Sequence, residues 1–309
     1  MDWQALTTEP NALGESPFWH PTESRLYWVD IAGKKLCRTR LQNSMVETWQ
    51  MPEEPGCIAP MLGGGLVVAL RTGVFTAPVW GGALNFLVQL PYDSTQVRAN
   101  DGKCDAWGRF WVGTLDETKA HHAAALYCID CTTGQPRVER KAKDALTANA
   151  LAWSPDGRTL YWADTASHSV QAWDYDGARA TLHNQRLYVR FASKAQEEAQ
   201  GQYRYQGRPD GAAVDAQGNY YLAMYEGASV QQFSPDGTPM ATYPTPVQCP
   251  TMPCFGGDDM QTLFVTSARQ GRSSAELASQ PLAGCIFYRR MSVPGVPVHF
   301  FNPCASSGS

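Results

Sequence analysis

One short pattern recurs along this chain: a turn rich in Asp, Gly, Pro or Asn is followed by a short strand of aromatic and β-branched residues. The strands of its six copies are residues 25–30, 65–70, 109–113, 159–164, 219–223 and 262–266. Successive copies are about 40 to 60 residues apart, and one four-stranded propeller blade typically takes about 40–50 residues. A β-sandwich or jelly roll also has many short strands, but six copies of one unit argue against both. The repeat predicts an all-β fold, a six-bladed β-propeller.

The repeat also sets the predicted domain boundaries. Residues 1–304 are expected to form a single propeller domain, and residues 305–309, which have the composition of a linker, a flexible tail. Helical pattern is nearly absent, and the one helix-like stretch, residues 193–202, lies inside the longest interval between copies. We therefore interpret that stretch as part of a loop inserted between blades.

Composition excludes several classes of function. The formal net charge is −4 and no segment is rich in Lys or Arg, so we expect no nucleic-acid partner. No apolar run approaches the roughly 20 residues that span a bilayer, and the N-terminus lacks a signal-peptide pattern. These features predict a soluble, cytoplasmic protein with no membrane partner, either a monomer or a weak homo-oligomer.

The nine cysteines are scattered and odd in number, which favours reduced thiols over a disulfide framework. Cys128 and Cys131 have C-x-x-C spacing, and Cys249 and Cys254 could complete a zinc site with them. The second spacing is loose and no histidine accompanies it, so we favour small apolar residues at strand ends.

Four polar residues stand just before strands that run towards the repeated strands, and they would come from four separate blades. They are Glu15, Asn100, Asn149 and Asp210. The innermost strands of a propeller line its central channel, so side chains at their ends can meet although they are distant in sequence. Two carboxylates and two amides form an all-oxygen set, which suits a hard divalent cation. Each residue also has an ordinary interpretation as a turn or strand-end residue, because Asn-Asp-Gly and Pro-Asp-Gly are common turn sequences.

The same segments resemble the SMP-30/gluconolactonase/LRE-like family. The similar segments, in family order, are Gly14-Glu15-Ser16-Pro17 with residues 26–30, Arg98 with residues 100–103, residues 108–114, residues 149–154, Pro209-Asp210-Gly211, and residues 250–251, 256–257 and 266–269. This resemblance covers nearly the whole chain. It implies a six-bladed propeller with one divalent cation in its channel, Ca²⁺ or Zn²⁺ first, with Mn²⁺, Mg²⁺ or Fe²⁺ as further options.

The resemblance also implies roles for individual residues. Glu15, Asn149 and Asp210 would be direct metal ligands, and Asn100 would lie near the metal and touch substrate or bound water. Arg98 would bind substrate, although a structural ion pair with Asp101 is the ordinary alternative. Relatives carry an acidic residue soon after the Gly-Thr of the third blade, and we expect Glu117, or a neighbour, to be its equivalent.

Two departures from the family pattern are visible. Many relatives have Gly after the ligand Asn, where this chain has Ala150, and residues 185–206 form a long polar loop expected at the channel mouth. The second departure bears on which substrate is bound.

The predicted function is metal-dependent hydrolysis of a sugar lactone to the corresponding aldonic acid, with Asp210 as general base. Arg98, Asn100 and Glu117 would bind the small-molecule substrate. Three alternatives remain open: a phosphotriesterase using the same cation, a calcium-binding regulatory protein without turnover, and a protein-interaction propeller. The last of these lacks support, because Gly-His…Trp-Asp repeats are absent.

Overall fold

The structure, a computed structural model, describes residues 2–42, 45–199 and 205–304. Its strands form six four-stranded antiparallel sheets, and neighbouring sheets pack around a central channel. The strands are β1 Gln4–Ala5, β2 Gly14–His20, β3 Arg25–Asp30, β4 Lys35–Thr39, β5 Glu47–Gln50, β6 Pro55–Pro60, β7 Leu66–Leu70, β8 Val74–Ala77, β9 Asn85–Val88, β10 Val97–Cys104, β11 Phe110–Asp116, β12 Ala124–Asp130, β13 Arg137–Ala145, β14 Ala148–Trp153, β15 Thr159–Asp164, β16 Ser169–Asp176, β17 Thr181–Arg190, β18 Arg208–Val214, β19 Tyr220–Tyr225, β20 Ser229–Phe233, β21 Pro239–Pro244, β22 Pro250–Gly256, β23 Thr262–Ser267 and β24 Phe287–Arg290.

Each sheet is one blade, so the predicted six-bladed β-propeller is confirmed. Blades 1 to 5 are built from consecutive groups of four strands, starting with β2, β6, β10, β14 and β18. Blade 6 contains β22, β23 and β24, and the N-terminal strand β1 completes it by pairing Gln4 with Tyr288. This pairing joins the two ends of the chain in one sheet and closes the ring. The six repeated strands of the sequence are the second strands of the blades.

The core lies between neighbouring blades, in six apolar clusters of the described residues that each take buried side chains from two adjacent blades. Trp28, Trp111, Tyr220 and Phe264, all from second strands, are buried. Burying a side chain of this size contributes roughly 1.5–3 kcal/mol relative to leaving it exposed. The aromatic residues that mark the repeat in the sequence are therefore the residues that hold adjacent blades together.

Two short helices lie outside the blades. Helix α1, Lys194–Ala199, coincides with the helix-like stretch expected within residues 193–202, and residues 200–204 lie outside the described part of the chain. Helix α2, Ser274–Ser279, begins with a capping box in which Ser273 and Glu276 satisfy each other's backbone N–H groups. Within the described residues, neither helix has the length and apolar character that crossing a membrane requires.

Residues 294–304 form a strap across the far end of the channel. The Val296 amide donates to the Val214 carbonyl of blade 5, and the Phe301 amide donates to the Pro60 carbonyl of blade 2. Residues 296–299 of the strap and residues of all six inner strands line a cavity of about 110 Å³. Residues 305–309, the predicted tail, lie outside the described residues.

The strap carries a correction to the sequence analysis. Cys304 forms a disulfide with Cys131 of blade 3, so the expectation that every cysteine is a free thiol is wrong for this pair. The two residues are 173 positions apart, and their meeting depends on the path of the strap rather than on any local pattern. Cys128, Cys249 and Cys254 are buried free thiols. In the described ranges no group of three or more His, Cys, Asp or Glu side chains could hold a metal ion, so the alternative of a cysteine zinc site is not supported.

Candidate active site

The first, innermost strand of each blade is interrupted by a shift in register close to its start. In five blades two residues of the inner strand oppose one residue of the second strand, and these shifts lie between Glu15 and Phe18, Ala99 and Gly102, Asn149 and Ala152, Pro209 and Ala212, and Pro250 and Pro253. Such a β-bulge bends a strand and redirects its side chains. The four polar residues singled out in the sequence lie at the edge of a bulge or within it, on blades 1, 3, 4 and 5.

Two of the bulges contain a non-glycine residue in the left-handed region. Ser16 follows Glu15 with φ 50°, and Ala150 follows Asn149 with φ 61°. This conformation costs an L-residue roughly 1–2 kcal/mol. The resemblance expects Gly after the ligand Asn, and the backbone of Ala150 shows why Gly suits that position. The chain accepts local strain where it positions two of the candidate ligands.

Glu15 and Asp210 are buried carboxylates with few partners. Their exposed fractions are 8% and 7%, and within the described residues Asp210 makes no side-chain hydrogen bond. Glu15 accepts one, from the backbone amide of Ser16 at 3.3 Å. Burial raises the pKa of both groups well above the ordinary range, and the negative charges of Asp210 and Asp101 raise the pKa of Glu15 further. Two buried carboxylates that face each other with so little compensation make a site for positive charge.

Asn100 and Asn149 are joined by a hydrogen bond. The Asn100 amide nitrogen donates to the Asn149 side-chain oxygen at 2.8 Å and to the Ala148 carbonyl at 3.0 Å. The Asn149 amide nitrogen donates to the Thr165 hydroxyl at 2.8 Å, and this hydroxyl donates to the Pro209 carbonyl at 2.8 Å. A continuous polar chain therefore links blades 3, 4 and 5 around the site and fixes the orientation of both amides.

Arg98 lies beside this chain at the open end of the channel, its mouth. Its guanidinium donates to the Asn100 side-chain oxygen at 3.0 Å and to the Ala99 carbonyl at 2.8 Å. The acidic group that faces it is Glu117, at 3.8 Å, and not Asp101. Arg71 of blade 2 holds Glu117 with two hydrogen bonds, of 2.8 and 3.0 Å. The neighbouring Asp116 carboxylate is held by the amides of its own turn, so of these two residues Glu117 is the one that faces Arg98.

The sequence analysis gave no role in the site to Asp101 and Lys103. Asp101 is 5% exposed, its Oδ2 accepts from the Leu151 amide at 2.9 Å, and its Oδ1 has no hydrogen-bond partner. Burial raises its pKa, and the positive charge of Lys103 opposes that effect. The Lys103 ammonium donates to the Ala212 carbonyl of blade 5. Both residues lie in the segment of residues 100–103. The register shift between Ala99 and Gly102 interrupts the usual alternation of side chains, so the consecutive residues Asn100 and Asp101 both reach the channel.

The donor set fits a divalent cation. Glu15 and Asp210 supply two negative charges, Asn149 supplies a fixed amide oxygen, and these groups come from three blades around one channel. Oxygen ligands of this kind are those that Ca²⁺, Mg²⁺ and Mn²⁺ prefer. With two carboxylates in the set, a third protein oxygen would come from the Asn149 amide.

Comparison with known proteins agrees with the fold and identifies the family. The family model described as the SMP-30/gluconolactonase/LRE-like region matches residues 13–269. The chain belongs to this family. The match begins two residues before Glu15 and ends in blade 6, so it includes every candidate site residue. The family resemblance inferred from the sequence is therefore confirmed.

Two relatives align over nearly their full lengths. A 6-deoxy-6-sulfogluconolactonase of Pseudomonas putida is 37% identical over 94% of this chain and 96% of its own. A regucalcin of Danio rerio is 32% identical over 97% of this chain and 98% of its own.

Solved structures share the fold. A calcium-binding regucalcin from Agrobacterium tumefaciens superposes with a TM-score of 0.85 and 24% identity, covering 97% of this chain and 96% of that one. A gluconolactonase from Xanthomonas campestris gives a TM-score of 0.70 at 21% identity, covering 95% and 89%. At these identities the likeness establishes the six-bladed architecture alone.

Proposed function

We propose that this protein hydrolyses the lactone of a sugar acid, using one divalent cation held by Glu15, Asn149 and Asp210. The observation that carries the proposal is the pair of buried, nearly unpartnered carboxylates beside a fixed amide at the mouth of the channel. The chain is a hydrolase of carboxylic esters, of the lactonase type. The relative that is 37% identical is named a sulfogluconolactonase, which supports a lactone of sugar metabolism as the substrate.

In this proposal the bound cation supplies a Lewis acid for the ester carbonyl and positive charge for the oxyanion. Asp210 accepts a proton from the attacking water, because its carboxylate lies at the site and, within the described residues, no side-chain hydrogen bond engages its oxygens. The new bond joins the water oxygen to the carbonyl carbon, the bond to the ring oxygen breaks, and that oxygen takes up the proton that Asp210 accepted from the water. The products are one aldonic acid and no leaving group, because the ester is cyclic.

Arg98 and Asn100 orient the sugar. The Arg98 guanidinium has five donors in a fixed plane, and one of its nitrogens, Nη1, donates to the Asn100 side-chain oxygen and to the Ala99 carbonyl. The remaining donors can bind hydroxyl oxygens of the sugar. Glu117, held in place by Arg71, sets the position of Arg98 from the side away from the amides. Glu117 therefore contributes to substrate binding through Arg98 in addition to any contact of its own.

The experiment is a hydrolysis assay with defined metals. Protein freed of metal by chelation should hydrolyse glucono-1,5-lactone no faster than buffer, and adding back Ca²⁺, Zn²⁺, Mn²⁺ or Mg²⁺ should restore acid release. An aryl phosphotriester in parallel tests the alternative hydrolase activity. Full lactonase activity in protein shown by metal analysis to hold no cation would disprove metal dependence, and no hydrolysis of any aldonolactone under any metal would disprove the proposed reaction.

A further inference from the structure

Three basic side chains surround the mouth of the channel above the candidate metal ligands. Arg98 and Arg208 lie near the starts of the inner strands of blades 3 and 5, and Lys119 lies in the loop that follows β11. The Lys119 ammonium donates to the Thr147 hydroxyl at 2.9 Å, two residues before the candidate ligand Asn149. Burial lowers the pKa of Lys119, and the charges of Arg98 and Arg208 lower it further, so the three cations lie within electrostatic reach of one another.

These cations differ in how far acidic groups compensate them. Arg98 faces Glu117 at 3.8 Å, and Arg208 pairs with Glu226 at 2.9 Å. Lys119 makes no ion pair within 4.0 Å in the part of the chain that the structure describes. Lys119 is an exposed residue, and within the described residues the Thr147 hydroxyl is the one hydrogen-bond partner of its ammonium.

Two carboxylates do lie close enough to raise the pKa of Lys119, namely Asp116 and Asp164. Both are already engaged by backbone amides. Asp116 accepts from the amides of Thr118 and His121, each at 2.9 Å. The Asp164 carboxylate caps the turn before blade 4 by accepting from the amide of Thr147 at 3.0 Å. These acids stabilise their own turns, and the positive charge at the mouth remains available to a ligand.

We propose that Lys119, supported by Arg208, forms a subsite for an anionic substituent at the end of the sugar lactone that is remote from the ester. This subsite rests on the proposed function. If the ester of the lactone lies at Glu15 and Asp210, the other end of the sugar lies at the mouth. A phosphate, a sulfonate or a carboxylate shares the required chemistry, a compact group of anionic oxygens. An ammonium binds such a group as a point charge with three donors.

The test compares glucono-1,5-lactone with the same lactone carrying a 6-phosphate or a 6-sulfonate. Wild-type protein should have a KM about tenfold lower for at least one anionic lactone, because a hydrogen bond to a charged group favours binding by about this factor. Lys119→Ala should remove that preference while changing kcat/KM for the neutral lactone by less than about twofold. Lys119→Arg should retain most of the preference, because it keeps the charge.

Lys143→Ala is the matched control. Lys143 lies in the outer strand β13 of the same blade, is exposed, and pairs with Asp144 at 3.3 Å. Its loss should leave the preference unchanged. Equal effects of Lys119→Ala on neutral and anionic lactones, or a wild-type protein that does not distinguish them, would overturn the subsite.

A binding measurement separates this proposal from the proposed reaction. Calorimetry with 6-phosphogluconate and gluconate reports the contribution of the remote anion without any turnover. Wild-type protein should bind 6-phosphogluconate about tenfold more tightly than gluconate, and Lys119→Ala should bring the two affinities together. Equal affinities in the wild type would refute the subsite even if lactones are hydrolysed, whereas a preserved difference with no hydrolysis would refute the reaction alone.

Discussion

Two groups of inner strands can be compared, those of blades 1, 3, 4 and 5 and those of blades 2 and 6. Both groups have a register shift in the backbone, but they differ in the side chains that the shift presents to the channel. All six contain a register shift near the start. In the first group the shift presents Glu15, Asn100, Asn149 and Asp210. In the second group the corresponding residues are Gly56 and Thr251. The bulge is therefore a property of the propeller, and the side chain placed on it decides whether a blade contributes chemistry.

Gly56 and Thr251 have structural roles instead. A Cβ added to Gly56 would lie 2.4 Å from the backbone carbon of Ala99, so blade 3 approaches blade 2 too closely for any side chain. The Thr251 hydroxyl contacts the Gly14 carbonyl at 2.5 Å and the Thr266 hydroxyl at 2.7 Å. These two blades hold the ring together at the level where the other four hold the site.

The sharpest test of this division is Asp210→Asn set against Thr251→Val. Asp210→Asn keeps the shape of the side chain but removes a ligand charge and the proposed base. We expect kcat to fall by about 10³-fold or more. Thr251→Val should destabilise the fold by about 1–2 kcal/mol and leave kcat within about twofold. Steady-state kinetics with thermal unfolding measures both, and comparable kinetic losses in the two variants would remove the distinction.

Gly56→Ala tests the structural half of the comparison. The new methyl group would meet the backbone of blade 3, which cannot move aside as a flexible side chain can. Overpacking of this kind should lower the free energy of unfolding by about 2–3 kcal/mol. Adding Ala99→Gly should not restore stability, because the closest atoms are the carbonyl carbon and oxygen of Ala99. Recovery in the double variant, measured by denaturant unfolding, would show that the Ala99 methyl group is the obstacle.

Glu117→Gln tests whether blade 2, which supplies no candidate ligand, supports the site through its residue Arg71. Arg71 of blade 2 grips Glu117, which faces Arg98, so removing the negative charge loosens this arrangement. We expect about a tenfold rise in KM with a smaller change in kcat, since substrate positioning and not proton transfer is affected. Glu139→Gln, an exposed residue of the same blade that pairs with Lys141, is the control. A fall in kcat with unchanged KM would instead assign Glu117 to the reacting atoms.

The smallest expected effect concerns the strained bulge of blade 4. Ala150→Gly relieves roughly 1–2 kcal/mol of left-handed strain but increases the entropy of the unfolded chain by an equivalent of about 0.4–1 kcal/mol. The net result should be a stabilisation of about 0.5 kcal/mol, detectable as a higher melting temperature. Ala148→Gly, two residues earlier at a buried position without positive φ, should destabilise the protein. The same sign of change in both variants would contradict the assigned strain.

The sequence predicted the ring and the blade origin of each candidate residue because both depend on local patterns. The second strands are recognisable in the sequence from their aromatic residues. Glu15, Asn149 and Asp210 are recognisable because they are polar residues at the starts of strands. The ion pair between Arg71 and Glu117 was not predictable, because these residues lie in different blades and meet only through blade packing. Asp101 was missed because Asn-Asp-Gly reads as a turn, and the disulfide of Cys304 was missed because the strap has no periodic signal.

The strap ties opposite sides of the ring together at the rear of the channel. Blades 2 and 5, which it bridges, stand on opposite sides of the ring, so the chain runs straight across the rear opening. The strap therefore obstructs the rear route to Glu15 and Asp210, and the front route leads past Arg98. If lactone and acid both use the front, the released acid would leave past the basic residues there, and slow release would be measured as product inhibition in the lactonase assay.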